Sequence, residues 1–314
     1  MDSIVNEAID SMAFPGAQIL ISKKGEILFE KQCGFHTYDK KRPVRQDDLY
    51  DLASVTKVTT GLPILMKLHG EGRLSLDAPV EQYIPLFKRT DKSKLTFLEI
   101  LAHQSGLIPY IVYWRNTIKR NGKFKKKTFT SKYRKRFPIY ITDSLYLHKN
   151  YHKKIKKAIK KSELLELKEY KYSGLFFLLL PEMIESLTGE GFREYLQREI
   201  YDPIGATHLI YNPYLHYVKE KTIPTERDTF FRNQLVHDEA AAMLAGVSCN
   251  AGLFGNAESL AKLFQLYLKN GQHNGLQIID SLAVMEFTRC QYCETGNRKG
   301  LGFDKPLIEF HKTI

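Results

Sequence analysis

Ser54 stands three residues before Lys57 in the run Asp51-Leu52-Ala53-Ser54-Val55-Thr56-Lys57, and an apolar stretch follows as far as Leu68. If a helix starts near Ser54, residues three apart share a face with Cβ atoms about 5–6 Å apart, so the lysine amine reaches the serine hydroxyl. A serine hydroxyl is a weak nucleophile at neutral pH, and attack on a carbonyl needs a neighbour to take its proton. An amine can do this only where burial or nearby positive charge favours its neutral form, because an exposed ammonium holds its proton to roughly pH 10. Leu52, Ala53, Val55 and Val58 supply apolar flanks of the required kind. The start of a helix also leaves backbone N–H groups, that of Ser54 among them, free to meet a developing oxyanion.

Other arrangements in the chain invite chemistry and fit it less well. Ser259 and Lys262 repeat the spacing, but Asn256 reads there as an N-cap and Leu260, Leu263, Phe264, Tyr267 and Leu268 form one apolar stripe, so Ser259 is ordinary first-turn material. Gly246-Val247-Ser248-Cys249-Asn250 approaches a nucleophile elbow but carries Asn where the last glycine belongs. His148 and His152 are four apart with no carboxylate to join them, and they read as surface histidines. Of the four cysteines, Cys33 and Cys249 are isolated, while Cys290 and Cys293 form a lone C-x-x-C that fits a redox pair or half a zinc site. No second cysteine pair accompanies it, and the uneven spacing gives no disulfide framework. The sequence therefore carries no expectation of a metal or cofactor.

The elements that must hold Ser54 and Lys57 follow from pattern. With 314 residues and 43% hydrophobic content the chain can bury a substantial core. No run of 18 apolar residues predicts a membrane-spanning helix, and the acidic, amphipathic N-terminus lacks the basic and apolar regions of a signal peptide. A first helix precedes a hairpin of residues 17–22 and 26–31 about the turn Lys23-Lys24-Gly25. Pro63 predicts a kink in the helix after Ser54. Residues 71–80 read as a turn-rich connector and 95–102 as a helix ended by His103-Gln104-Ser105-Gly106. Residues 175–187 read as a buried helix closing at Gly189, and 192–200 as a helix before Asp202-Pro203. The run 237–244 leads into a loop with Gly246, Gly252 and Gly255. No internal repeat is present.

The net charge of +12 is concentrated. Residues 115–171 hold twenty Lys or Arg against four acids (Asp143, Glu163, Glu166 and Glu169), a surplus of sixteen that leaves the remainder slightly acidic. Tyr113, Trp114, Phe124, Phe129, Tyr133, Tyr140, Tyr146 and Tyr151 are interleaved with the basic residues. Such a mixture can bind single-stranded nucleic acid or an anionic envelope polymer. The absence of a recognised nucleic-acid motif favours a solvated, lysine-rich surface and argues against nucleic acid.

Assembled in order, the motifs resemble those of the serine β-lactamase-related hydrolases, a group that includes class C β-lactamases, penicillin-binding carboxypeptidases and family VIII-type esterases. They are Phe14-Pro15-Gly16-Ala17, the Ser54–Lys57 run, Leu74-Ser75-Leu76-Asp77-Ala78-Pro79-Val80, Leu101-Ala102-His103-Gln104-Ser105-Gly106-Leu107, Tyr172-Ser173 and Ala251-Gly252-Leu253-Phe254. The resemblance covers residues 4–306 and looks closest to the β-lactamase-like domain that some Bacteroidetes proteins carry after a glycoside hydrolase domain.

The resemblance implies an α/β (α+β) fold of β-lactamase/transpeptidase type, an antiparallel sheet flanked by helices beside a helical subdomain, with no metal or organic cofactor. It divides a single domain, 1–314, into residues 1–53 with the N-terminal helix and hairpin, 54–250 with the helical part and a basic insertion at 109–171, and 251–314 returning to the sheet. It makes Ser54 the acylated nucleophile, Lys57 its proton acceptor and Tyr172 a phenol that shuttles protons to leaving group and water. The acyl substrate would be a β-lactam, a peptidoglycan peptide or an ester. The third residue of the family's Tyr-x-Asn element is here Gly174, which removes a polar side chain. The family's last element, Lys/His-Thr/Ser-Gly, is not matched by His311-Lys312-Thr313, so the resemblance implies missing C-terminal strands, an exposed hairpin edge and impaired hydrolysis. The alternative is a non-catalytic remnant or a polyanion-binding envelope protein. The compartment stays open, extracytoplasmic if a longer exported protein, possessing an upstream glycoside hydrolase domain, contains this chain.

Overall fold

The computed structural model of the protein describes residues 2–142, 144–215, 219–225 and 235–306. Helix α1 (Asp2–Asp10) precedes strands β1 (Gly16–Lys23) and β2 (Glu26–Gly34), the hairpin expected from sequence. They pair antiparallel from Gly16 opposite Gly34 to Lys23 opposite Glu26, with a bulge between Ile21 and Ser22. The turn residues Lys24 and Gly25 both have positive φ, the tight hairpin geometry whose twist matches the strands. Strand β3 (Tyr50–Asp51) runs directly into the Ser54 turn, and α2 (Leu62–Gly70) follows. Helix α3 (Phe97–Leu101) is opened by a capping box in which Thr96 and Glu99 satisfy each other's backbone N–H groups.

In the basic segment β4 (Phe129–Thr130), β5 (Ile139–Thr142) and β6 (Leu145–Leu147) form an antiparallel sheet in the order β4-β6-β5, followed by α4 (Tyr151–Lys161). The chain continues through α5 (Leu180–Thr188), α6 (Phe192–Leu196), α7 (Asp202–Ile204), β7 (Ile210–Tyr211), α8 (Glu239–Met243), β8 (Leu253–Gly255) and α9 (Ala257–Leu268). It closes on the small hairpin β9 (Gln272–His273) and β10 (Leu276–Gln277) and on α10 (Ser281–Thr288). Strand β8 lies between β3 and β7, so residues 251–255 run alongside the entry to the Ser54 turn.

The apolar helix after Ser54 is segmented. Ala53–Val55 forms a 3₁₀ turn, Lys57–Gly61 a π turn, and only from Leu62 does the chain become α-helical. Pro63 does not kink a continuous helix; it sits in the first turn of α2, where a missing N–H is tolerated. An α-helical bond from position 63 would end on Thr59 O, and the Tyr201 hydroxyl donates to that oxygen instead at 2.8 Å. Leu62 N donates back to Lys57 O, and Val58 O takes the Tyr267 hydroxyl at 2.6 Å. The region 175–187 breaks in the same way. Phe176–Leu178 is a 3₁₀ turn, α5 begins at Leu180, and Phe177 O, which Pro181 cannot serve, accepts Cys249 N at 3.2 Å. In both places a proline frees a carbonyl that then takes a tertiary donor, which buried backbone groups require.

The core is contiguous through α2, α3, α5 and α6, with Leu62, Leu65, Phe97, Phe177, Ile184 and Ile200 all but inaccessible to solvent. The basic segment belongs to it. Tyr151, Ile155 and Ile159, four apart on α4, turn inward, and Phe124 stacks on Phe129 at 4.8 Å between ring centres. Lys153, Lys154 and Lys157 face outward, while Lys156 pairs with Glu182 at 2.7 Å.

Candidate active site

Asp51, the last residue of β3, organises the turn that follows. Its carboxylate accepts Ala53 N at 2.9 Å and His237 N at 2.8 Å, and burial raises its pKa against the lowering effect of those two bonds. Ala53 is held at φ +44°, a conformation few alanines adopt, immediately before Ser54. Strand β8 braces the same turn: Leu52 N donates to Leu253 O at 3.0 Å, and Leu253 N to Thr56 Oγ1 at 3.3 Å. Ser54 is left exposed at the surface of this frame, whereas Lys57 is only 4% exposed.

The expected pair is formed. Lys57 Nζ donates to Ser54 Oγ at 3.1 Å and to Asn250 O at 2.9 Å. It also faces two aromatic rings, lying 5.2 Å from the centre of Tyr172 and 5.5 Å from that of Phe177. Tyr172 thus lies beside Lys57 with its ring face toward the amine. Three bonds to the segment after α3 fix it there. Lys171 N donates to His103 O at 2.8 Å, Ser173 Oγ to Ile108 O at 2.7 Å and Gly174 N to Pro109 O at 3.1 Å.

His103 backs the tyrosine, with ring centres 4.5 Å apart. Ser173 N donates to its Nδ1 at 3.3 Å, so that nitrogen acts as the acceptor. Burial, with the positive charges of Lys299 and Lys57, depresses His103 to about 3, and the ring stays neutral.

Gly174 is explained by its neighbour. A β-carbon at this position would lie 2.3 Å from Asn250 Oδ1, so the Asn250 side chain occupies the space that a side chain at 174 would need. Asn250 Nδ2 donates to Asp238 Oδ2 at 3.3 Å, and Asn250 N to Ser248 Oγ at 3.2 Å. In sequence this stretch reads only as a failed nucleophile elbow. Ser248 is in fact fully buried and donates to Ala251 O at 2.9 Å, which makes it the brace that presents Asn250. A cleft of about 440 Å³ opens beside Gly174 and Asn250.

The other candidates stay apart from this site. Ser259 is buried at the start of α9, where its N–H bonds the Asn256 cap, and Lys262 pairs with Glu258 at 2.7 Å. Cys290 and Cys293, whose spacing fits a redox pair or half a zinc site, are joined in a disulfide. His148 and His152 are each half-buried. No helix among the described residues is long and apolar enough to cross a membrane. The run His311-Lys312-Thr313, on which the expectation of impaired hydrolysis turned, lies outside the described residues.

The family model described as Beta-lactamase matches residues 1–304. An Escherichia coli (strain K12) protein, provisionally a D-alanyl-D-alanine carboxypeptidase, is 30% identical over 319 residues, covering 92% of this chain and 68% of its own length. The N-acetylmuramyl-L-alanine amidase of Bacillus subtilis (strain 168) is 28% identical over 323 residues, covering 92% of this chain and 66% of its own length. The chain thus spans about two thirds of the length of these curated relatives. The crystal structure of a class C β-lactamase from Rhodobacter sphaeroides has the same fold, with a TM-score of 0.62 at 17% identity over 91% of this chain and 69% of that one. A likeness first carried by the order of short motifs is now carried by nearly the whole chain, and the protein belongs to the Beta-lactamase family.

Proposed function

We propose that the chain is a serine hydrolase whose nucleophile is Ser54, acting on an amide or ester of the kind found in peptidoglycan-derived peptides. The observation that carries this reading is the 3.1 Å bond between an exposed serine hydroxyl and a buried lysine amine. Ser54 Oγ attacks the substrate carbonyl carbon while its proton passes to the Lys57 amine. The oxyanion forms beside the Ser54 N–H in the 3₁₀ turn. As the intermediate collapses, the bond to the leaving amine or alcohol breaks, and the leaving group takes up a proton by way of the Tyr172 phenol. Water then attacks the acyl ester, giving its proton back through the same groups and releasing the acid and Ser54. The relatives' names support the substrate class, one being a carboxypeptidase of D-alanyl-D-alanine and one an amidase of N-acetylmuramyl-L-alanine. Purified protein should hydrolyse nitrocefin or a p-nitrophenyl ester at a rate abolished by Ser54→Ala. Hydrolysis that survives Ser54→Ala would refute the assignment.

A second reading is favoured by the outward face of α4, where Lys153, Lys154 and Lys157 are exposed together. These charges suit an anionic polymer held by electrostatics. Stacking on bases receives less support, because Phe129, Tyr113 and Tyr151 are buried in packing.

A further inference from the structure

The cleft beside Gly174 and Asn250 has two kinds of lining group. Tyr110, Tyr113 and Trp114, from the segment that follows α3, give the lining aromatic groups, and Asp238 and Glu239 at the start of α8 give it acidic ones. Among the described residues no Lys or Arg lines it, although the aromatic residues lead straight into the basic segment. An anionic ligand would therefore meet two carboxylates and no cation among the lining residues.

Tyr113 supplies an independent pointer to a ligand. The residue is 6% exposed, and its hydroxyl is buried with no hydrogen-bond partner among the described residues. A buried hydroxyl left unpaired costs about 1–3 kcal/mol, so one retained in the wall of a cleft is matched to a group arriving from outside. Asp238 is close enough to act on it: burial first, and then the Asp238 charge, push the Tyr113 phenol above its usual range. The contacts described for the Asp238 carboxylate are Ala241 N at 2.7 Å and Asn250 Nδ2 at 3.3 Å, both neutral donors that leave its charge in place. Carboxylates and aromatic rings lining one cleft attract an organic ammonium through both charge and the ring quadrupoles. The Tyr113 oxygen can accept one of its N–H groups.

We propose that this cleft is a subsite for an ammonium-bearing part of the substrate. It joins the nucleophile through one residue, since Asn250 lines the cleft and its carbonyl accepts from Lys57 Nζ at 2.9 Å. The assignment of the cleft to substrate rests on Ser54 being the nucleophile; the binding of an ammonium in it does not need Ser54.

Trp114 is the only tryptophan in the chain and lines the cleft, so its fluorescence reports occupancy. Ser54→Ala protein, which cannot turn over, is titrated with 6-aminohexanamide and with hexanamide, which differ in the charged end. The cationic amide should bind about tenfold more tightly, the scale expected of a desolvated cation–π contact beside carboxylates. The preference should fall toward unity in Asp238→Asn/Glu239→Gln protein, and Tyr113→Phe, which removes only the unpaired hydroxyl and so leaves folding intact, should weaken the cationic amide several-fold. Equal responses to the two amides, including no response to either, would overturn the proposal, as would a preference that both variants leave unchanged. Loss of the Ser54 assignment would show differently, as intact ammonium binding in a protein that hydrolyses without Ser54.

Discussion

Asn250 Oδ1 stands where a side chain at position 174 would begin, 2.3 Å from the place of a β-carbon there. Because Asn250 also gives its carbonyl to Lys57, a residue forced in at 174 disturbs the amine that serves Ser54. Gly174→Ala should cost about 1–3 kcal/mol as overpacking and slow hydrolysis. In an Asn250→Ala background the same change should cost little, giving a coupling of roughly 0.5–3 kcal/mol in a double-mutant cycle of urea midpoints. Strict additivity would show that the two side-chain positions do not compete.

His103 gives the protein a pH-dependent stability. Its pKa is about 3 in the fold against the ordinary 6.5, so between these values the unfolded chain binds a proton that the folded one refuses. The stabilisation is complete above pH 6.5 and is lost as pH falls toward 3, amounting to roughly 2 kcal/mol by pH 5. His103→Asn retains a residue type tolerant of the observed φ of +56° and should flatten the urea midpoint between pH 7.5 and 5.0 relative to wild type. Parallel pH profiles for the two proteins would contradict this account.

Tyr172 is placed by its ring, and its phenol can be tested apart from it. Tyr172→Phe keeps the face that meets Lys57 at 5.2 Å and removes the proton carrier. The turnover number should fall by about 10²–10⁴, with the folding midpoint nearly unchanged. Wild-type turnover in Tyr172→Phe would leave the tyrosine a packing role only.

Much of this site was legible because it is local. The Ser54–Lys57 spacing fixes a shared face whatever the form of the turn, and the hairpin, the Asn256 cap and the inward stripe of α9 are likewise short-range patterns. The 3₁₀ and π turns were not legible, since they depend on Tyr201 and Tyr267 reaching carbonyls from far along the chain. Asn250 was missed for a related reason. Its value lies in facing Gly174, a pairing set by the Cys249 N–Phe177 O bond and the Ser248 brace rather than by any spacing. The aromatics of the basic segment looked like stacking platforms in sequence, yet several are packed into the core.

The exposed lysines of α4 should confer salt-sensitive polyanion binding. Replacing Lys153, Lys154 and Lys157 by Gln should weaken heparin binding at low salt while shifting folding stability by less than about 0.5 kcal/mol, since the inward stripe of Tyr151, Ile155 and Ile159 is untouched. Heparin affinity that is indifferent to salt, or to the three substitutions, would remove the electrostatic reading.

The nucleophile itself can be observed directly. Protein exposed to a labelled penicillin or a fluorophosphonate, then digested and analysed by mass spectrometry, should carry a single adduct on the peptide containing Ser54, absent from Ser54→Ala and strongly reduced in Lys57→Ala. An adduct on another serine, or equal labelling of the Ser54→Ala protein, would contradict the assignment.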